Sequence, residues 1–239
     1  MKQSWLDKVS WLARGSWAAS AIITLLATQA ACQNQIAFPL APGEGQVQAD
    51  LYGHGTRGLI LAHGGRFNKE SWRPQAETLA KAGFLVLAVR FRGDGLNSDG
   101  STGSFGSAAD NAADVLAAAA YLRRIGAKTV SAIGGSFGGD AVGDADAASQ
   151  PGDFHRIVIL ASSGGDSPEK LHGRKLFIVA RDDTSGDGLR LPEITRHYKR
   201  APQPKKLVIL EGSAHAQFLF ATDQGPRLMD EILRFLAEP

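Results

Sequence analysis

The chain has 239 residues, of which 44% are hydrophobic and 21% charged, and its formal net charge is +2. These values are typical of a soluble globular protein with one domain, or with one domain and a tail. The positive excess lies in the first 31 residues, so the remainder is formally neutral and nothing indicates a nucleic acid as a partner. Cys32 is the only cysteine, which excludes an intrachain disulfide, and the six histidines lack metal-ligand spacing. We therefore predict neither a metal nor a cofactor.

Residues 1–31 have the composition of an export signal. Three basic residues precede the apolar run 17–27, which is short for a membrane span, and small residues follow it. We predict that 1–31 is a signal peptide. The protein would then be exported in a bacterium, and would be periplasmic or anchored to the envelope.

The residues after the apolar run leave the mode of processing open. Small residues before Cys32 resemble a lipoprotein processing site, which would make Cys32 the first mature residue and tether the protein to a membrane. Gln29 stands where such sites prefer leucine, so ordinary cleavage near Ala30 is the alternative. An uncleaved anchor helix, or a start codon placed too early, is the third interpretation. Residues 32–45 contain two prolines and predict a linker or an extended lead-in, and 46–239 form the predicted folded domain.

Apolar runs and helical patterns alternate along the folded domain. The predicted strands are 46–52, 58–62, 84–89, 129–133, 157–160, 176–180 and 207–210. The predicted helices are 71–82, 107–124, 141–149, 191–200 and 226–237. The first strand alternates apolar and polar residues and is predicted to be a half-buried edge strand, whereas the others are continuous apolar runs of the kind buried on both faces. This order predicts a three-layer α/β fold with a mostly parallel sheet and helices on both faces.

The segment 129–138 contains the pattern Gly-x-Ser-x-Gly between a predicted strand and a helix. That context is the one in which a nucleophilic serine occupies a sharp, strained turn, here Ser136. Gly134 and Gly138 flank it because larger side chains would collide in the turn. The following helix directs its N-terminus at any anion that forms beside Ser136. The alternative is a glycine-rich turn in an ordinary α/β protein.

Polar residues also follow three other predicted strands. His63-Gly64-Gly65 follows the strand 58–62, Asp182 and Asp183 follow 176–180, and His215 comes soon after 207–210. The carboxyl ends of parallel strands share one edge of the sheet. A serine hydroxyl needs a base, and the base needs an orienting acid, so these strand ends predict a Ser-Asp-His site. Only one of the two adjacent aspartates can face the histidine, and Asp187 is a more distant third candidate.

Over 46–239 the chain resembles the α/β-hydrolase superfamily, and its dienelactone-hydrolase-like and small-esterase branches look nearest. The resemblance implies that Ser136 is the nucleophile and His215 the base, and that the backbone amides of Gly65 and Phe137 form the oxyanion hole. The family places its acid three residues after a small residue that closes the strand, which implies Asp183. In dienelactone hydrolases the nucleophile is cysteine, so the serine here places that particular reaction in doubt. His63 is expected to shape the oxyanion turn.

The resemblance and the site together predict a serine hydrolase that cleaves a small or soluble carboxylic ester. The connection 161–175 is too short for a large lid, which disfavours long-chain lipids as substrates. A small-molecule acyl compound is then the expected partner. A thioesterase or peptidase of the same fold, or a non-catalytic envelope-tethered binding protein, are the alternatives. Residues 183–188 resemble the start of a calcium loop, but Ile194 stands where a bidentate glutamate is needed, which argues against calcium.

Overall fold

A computed structural model describes residues 34–40, 45–92 and 107–238. They belong to one compact unit, Ala31–Pro239. The predicted signal peptide, Cys32 and residues 93–106 lie outside the described residues. None of the helices described is long and apolar enough to cross a membrane.

Among the described residues, eight strands form one sheet: β1 Asn34–Pro39, β2 Gln46–Tyr52, β3 Arg57–Ala62, β4 Leu85–Arg90, β5 Thr129–Gly135, β6 Arg156–Leu160, β7 Arg174–Ala180 and β10 Lys205–Leu210. Their order across the sheet is β1-β2-β4-β3-β5-β6-β7-β10. The two remaining strands, β8 Thr184–Ser185 and β9 Gly188–Leu189, form a separate small hairpin. The pairs β1–β2 and β2–β4 are antiparallel, and the pairs from β4 to β10 are parallel.

In the part of the chain that the structure describes, five helices cover the two faces of the sheet. They are α1 Arg73–Lys81, α2 Ala108–Arg124, α3 Phe137–Ala148, α4 Arg190–Arg200 and α5 Gly225–Ala237. Short 3₁₀ helices occupy Lys69–Trp72, Pro168–Lys170 and Ala216–Ala221. One apolar core includes side chains of α2, α3 and α4, and the other includes side chains of α1 and α5. The predicted three-layer α/β architecture with a mostly parallel sheet is therefore confirmed.

The central strands are buried because helices cover them on both sides. Residues 59–62 of β3 are fully buried, as their continuous apolar run predicts. Helix α2 begins at the N-cap Ser107, whose side chain accepts from the amide of Asp110 while the Asp110 carboxylate accepts from the amide of Ser107. This capping box fixes the start of α2 at the predicted position.

Of the two interpretations of 32–45, a linker is wrong for Asn34–Pro39, because these residues form the extended strand β1 and pair antiparallel with β2. Consequently β1 is the edge strand, and the prediction that 46–52 lies at the edge is also wrong. Phe38 is the one fully buried side chain of β1, and its ring stacks on Tyr121 of α2 with 4.8 Å between centroids. A strand that buries one side chain gives too weak an alternation to be recognised in a segment that also contains proline.

Helix α3 begins at Phe137, four residues before the predicted start at 141. Its first turn contains Gly138 and Gly139, which have low helix propensity and mask the signal. The other predicted strands and helices are present, with ends that differ by a few residues. The hairpin of β8 and β9 has no counterpart among the predicted elements, because strands of two residues carry no periodicity.

Candidate active site

Ser136 lies between β5 and α3 in a strained backbone conformation, with φ 51° and ψ −125°. Its amide donates to the carbonyl of Leu160 on the neighbouring strand at 2.8 Å. Its carbonyl accepts from the amides of Gly139 at 2.7 Å and Asp140 at 3.2 Å. A positive φ costs free energy in a residue with a side chain, and these hydrogen bonds hold it in place.

The two flanking glycines are required because the turn leaves no room for a Cβ atom. A Cβ on Gly134 would lie 2.7 Å from the Cα of Gly139 and still closer to the carbonyl group of Gly138. A Cβ on Gly138 would lie 2.5 Å from the carbonyl oxygen of His63. All of these neighbours are backbone atoms, which cannot move aside as a flexible side chain can. The turn therefore packs directly against the end of β3.

The structure brings Ser136, His215 and Asp183 together. Oγ of Ser136 lies 2.7 Å from Nε2 of His215, and Nδ1 of His215 lies 2.8 Å from Oδ2 of Asp183. Because a carboxylate can only accept, Nδ1 carries the proton in this arrangement and Nε2 is left to accept from the serine hydroxyl. The three residues follow β5, β7 and β10, so the parallel sheet delivers all of them to one edge.

The structure distinguishes the three candidate aspartates. Asp183 is buried with 1% of its surface exposed and faces His215. Asp182 is exposed, and its backbone amide donates to Gly212 at 2.9 Å. Asp187 is also exposed and lies between the two strands of the small hairpin. Of the three, Asp183 is the aspartate that contacts the histidine.

Arg190 is a site residue that the sequence does not point to. Its Nε lies 3.6 Å from Oδ1 of Asp183, and its backbone amide donates to the Asp183 carbonyl at 2.9 Å. The hairpin of β8 and β9 returns the chain to Asp183 and makes both contacts possible. A hairpin this short gives no sequence signal, so the proximity could not be anticipated.

The two predicted oxyanion-hole residues line the same pocket as the serine. Phe137 is the first residue of α3, where the helix dipole favours an anion, and Gly65 follows β3. The amide of the preceding residue, Gly64, is already engaged, because it donates to Oε1 of Gln217 at 2.8 Å. His63 is fully buried with Nδ1 2.9 Å from the Gly64 carbonyl oxygen, which agrees with a role in shaping the turn.

A cavity of about 360 Å³ opens beside the serine. Its lining consists of Gly64, Gly65, Arg66, Phe67, Ser136, Phe137, Thr184, Arg190, His215 and Phe218. The rings of Phe67 and Phe218 contact each other with centroids 4.6 Å apart. Two arginines and no acidic residue are among these described lining residues. The cavity is therefore small and partly aromatic, and its charged lining residues are Arg66 and Arg190, the second of which is paired with Asp183.

The connection 161–175 after β6, predicted to be too short for a large lid, is hydrogen-bonded to α3 near its start. Oδ1 of Asp140 accepts from Oγ of Ser162 at 2.7 Å and from the amides of Gly164 and Gly165 at 3.1 and 3.0 Å. Asp144 lies one turn further along α3, and burial, together with the nearby acidic side chains, raises the pKa of its carboxyl group. No large lid covers the site in the part of the chain that the structure describes.

Potential metal ligands are dispersed in the described part of the chain. Across 34–40, 45–92 and 107–238, no group of three or more His, Cys, Asp or Glu side chains is placed to hold a metal ion. The carboxylate of Asp183 is engaged with His215 and Arg190.

No protein-family model matches the sequence, and no curated protein matches it. Solved structures do match. The dienelactone hydrolase from Anabaena variabilis ATCC 29413 is 21% identical with a TM-score of 0.62, over 85% of this chain and 94% of that one. The Pyrococcus furiosus esterase Pf2001 is 16% identical with a TM-score of 0.67, over 86% and 92%. The esterase RhEst1 from Rhodococcus sp. ECU1013 is 16% identical with a TM-score of 0.63, over 87% and 99%. The chain therefore has the α/β-hydrolase fold that its sequence predicts.

Proposed function

We propose that the protein is a serine hydrolase that cleaves a small or soluble carboxylic ester. The observation that carries the proposal is the continuous contact from Oγ of Ser136 through the imidazole of His215 to the carboxylate of Asp183. A serine becomes nucleophilic at neutral pH only when a base lies within hydrogen-bond reach and the base is itself oriented. Esterases and dienelactone hydrolases among the similar structures support the same class of reaction.

The proposed reaction proceeds through an acyl-enzyme. Oγ of Ser136 attacks the ester carbonyl while its proton passes to Nε2 of His215. The amides of Gly65 and Phe137 donate to the oxyanion of the tetrahedral intermediate. His215 then gives its proton to the leaving alkoxide, and the alcohol departs. In the second half a water molecule gives a proton to Nε2 of His215 while its oxygen attacks the acyl carbon. His215 then returns that proton to Oγ of Ser136 as the bond between Oγ and the acyl carbon breaks, which releases the carboxylic acid and restores the serine.

The shape of the cavity supports small substrates. Its volume of about 360 Å³ lies near the lower end of the range for small-molecule sites. Phe218 is 45% exposed and forms an apolar wall with Phe67, against which an acyl or alcohol group of moderate size can pack. A long acyl chain would extend beyond this wall into water, which gives no gain from burial.

The proposal is tested with a fluorophosphonate probe, which reacts covalently with activated serines. We expect the wild type to be labelled and Ser136→Ala to be unlabelled, with hydrolysis of p-nitrophenyl acetate reduced by about 10⁶-fold. Ser185→Ala is the matched control, because Ser185 belongs to the nearby hairpin and makes no contact with His215. A wild type that resists the probe would support the non-catalytic alternative. Matched ester, thioester and amide substrates then rank the three bond types by kcat/KM.

We also propose that the protein is exported, and that Cys32 carries the membrane tether if the lipoprotein form of processing occurs. The sequence features of 1–31 support this proposal. Mass spectrometry of protein purified from the native cell separates the outcomes. A chain that begins at an acylated Cys32 supports the tether, cleavage near Ala30 supports plain export, and a full-length cytosolic chain contradicts both.

A further inference from the structure

Gln217 lies two residues after His215 and connects the histidine loop to the turn after β3. Its side chain is nearly buried, with 7% of the residue exposed. Oε1 accepts from the amide of Gly64 at 2.8 Å, and Nε2 donates to Oγ of Ser71 at 2.7 Å. Because a backbone amide can only donate, the first contact fixes which end of the side-chain amide is oxygen. The partners are 153 and 146 residues away along the chain, so the contacts depend on the fold.

The hydrogen bonds continue beyond Ser71. Its hydroxyl donates to the carbonyl of Asn68 at 2.6 Å, and its amide donates to Oδ1 of Asn68 at 3.0 Å. The direction of donation therefore runs from Gly64 through Gln217 and Ser71 to Asn68, and each bond polarises the next. Gln217 thus holds both ends of the segment 64–71, which contains the predicted oxyanion donor Gly65.

The backbone next to Gln217 is strained in a way that serves this arrangement. Ala216 is fully buried and has a φ of 50°, in the left-handed region that a residue with a Cβ seldom adopts. This turn lets His215 reach Ser136 while Gln217 reaches Gly64, although the two side chains are only two residues apart. A strained residue between two well-bonded neighbours indicates that both contacts matter to the site.

Gly64 also packs closely against the serine. A Cβ atom on Gly64 would lie 3.3 Å from Cβ of Ser136 and 3.1 Å from the Gly135 carbonyl oxygen. The peptide that joins Gly64 to Gly65 is therefore packed against the nucleophile on one side and hydrogen-bonded to Gln217 at its preceding amide. The carbonyl of the same peptide is also held, by the amide of Phe67 at 3.0 Å and by Nδ1 of His63 at 2.9 Å, so losing the Gln217 hydrogen bond would loosen the turn at the amide of Gly64 and let the Gly65 amide shift relative to Ser136.

We propose that Gln217 is a positioning residue for the oxyanion hole: it holds the turn so that the Gly65 amide faces the developing oxyanion beside Ser136. This inference rests on the proposed function. The negative charge on this oxygen is absent in the bound ester and develops on the way to the tetrahedral intermediate, so a misplaced donor lowers kcat and leaves KM almost unchanged. Gln217 makes no contact with His215 in the described hydrogen bonds, so the pH profile of kcat should not move.

The test compares three substitutions at one position. Gln217→Met keeps the length of the side chain and removes both hydrogen bonds, and we expect kcat for p-nitrophenyl acetate and the fluorophosphonate inactivation rate to fall by about 10- to 100-fold. Gln217→Glu keeps an acceptor for Gly64, and the Ser71 hydroxyl can give its single proton to the carboxylate only by turning away from Asn68, so this variant should recover part of the rate. Gln217→Asn is too short to reach Gly64 and should resemble the methionine variant.

The control is Ser71→Ala, which removes the second hydrogen bond but leaves the acceptor for Gly64. We expect its rate to fall by less than about fivefold, since the contact nearest the oxyanion turn remains. All rates are normalised by titration of active sites, so that a loss of folded protein does not count as a loss of rate. If Gln217→Met is unfolded, Gln217→Asn decides between the outcomes.

The outcomes separate this inference from the proposed function. A wild type that does not react with the fluorophosphonate overturns both. A reactive wild type with unchanged kcat in Gln217→Met and Gln217→Asn overturns the positioning role alone. The positioning role is also overturned if KM rises while kcat is constant, because Gln217 would then act on substrate binding.

Discussion

Nε of Arg190 lies 3.6 Å from Oδ1 of Asp183, on the carboxylate whose other oxygen contacts His215. The separation is that of an ion pair and is longer than a hydrogen bond. Asp183 is 1% exposed, so water does not solvate its carboxylate. The stability of the buried charge therefore depends on these two partners. Each oxygen of the carboxylate thus has one cationic or proton-donating neighbour, which fixes the plane of the group against the imidazole.

This arrangement predicts different consequences for two adjacent aspartates. In Asp183→Asn the side chain presents an amide to Nδ1 of His215, which favours the wrong tautomer, and we expect kcat for p-nitrophenyl acetate to fall by about 10⁴-fold. Asp182→Asn is the matched control and should retain the wild-type rate, because Asp182 is exposed and does not contact His215. Equal losses in the two variants would contradict the assignment of Asp183 as the acid.

The site illustrates which features can be predicted from sequence. Gly134, Ser136 and Gly138 are predictable because the turn imposes a local pattern on neighbouring residues. The choice between Asp182 and Asp183 needs the resemblance to a family, since alternation alone shows only that one of them can face inward. Gln217 is not predictable, since its partners lie 153 and 146 residues away and no local pattern marks such contacts.

The fold, too, has features that a local sequence pattern predicts and features that it does not. Strands buried on both faces, such as β3, have continuous apolar sequences and are predictable. Strand β1 is not predictable because it buries a single side chain, Phe38, and its alternation of apolar and polar residues is therefore weak. The predicted start of α3 is misplaced because steric demands of the turn override the low helix propensity of Gly138 and Gly139.

The steric argument for the turn can be tested by stability. In Gly138→Ala the new Cβ would lie 2.5 Å from the His63 carbonyl oxygen, and we expect the free energy of unfolding to fall by at least about 2 kcal/mol. Gly186→Ala is the control, since a Cβ there meets no atom within 4 Å and should change stability by no more than about 0.5 kcal/mol. Urea denaturation gives both values. A Gly138→Ala protein as stable as the control would contradict the close packing of this turn.

Lys175 and Lys205 lie at the start of the neighbouring strands β7 and β10, at the edge of the sheet away from the site. We expect their replacement to have opposite effects on stability. Lys175 is 1% exposed, and its Nζ has no hydrogen-bond partner among the described residues. Lys205 stands opposite it on β10 and donates from Nζ to the carbonyls of Tyr198, Lys199 and Ala201. We expect Lys175→Met to raise the free energy of unfolding at pH 7 by about 1 kcal/mol. Lys205→Met should lower it by about 1 kcal/mol, because it removes satisfied hydrogen bonds.

The effect at Lys175 should depend on pH. Burial lowers the pKa of its ammonium group below the ordinary 10.5, and the nearby carboxylate of Asp146 opposes this shift. Between the lowered pKa and 10.5 the unfolded chain binds more protons than the folded one, so wild-type stability rises with pH in this window. The advantage of Lys175→Met should therefore shrink as the pH approaches 10.5. An advantage that stays constant across alkaline pH would show that burial does not lower the pKa of Lys175 in the folded protein.

The charge of Arg66, which lines the cavity, predicts a preference among esters. Arg66 follows the oxyanion turn, is exposed, and has no ion-pair or hydrogen-bond partner within the described residues. Its guanidinium group is therefore available to a substrate with a carboxylate on its acyl arm. Because the site is open to water, we expect Arg66→Gln to lower kcat/KM for mono-p-nitrophenyl succinate by about three- to tenfold, and to leave p-nitrophenyl butyrate unchanged.

The matched control for Arg66 is another exposed arginine near the same edge of the sheet. Arg181 is already paired with Glu211 at 3.0 Å and does not line the cavity, so Arg181→Gln should leave both esters unaffected. Raising the salt concentration to about 1 M shortens the Debye length to about 3 Å and should remove most of the wild-type preference for the succinate ester. A preference that survives high salt, or that persists in Arg66→Gln, would locate the discrimination in the aromatic wall of Phe67 and Phe218, and would show that charge does not select the acyl arm.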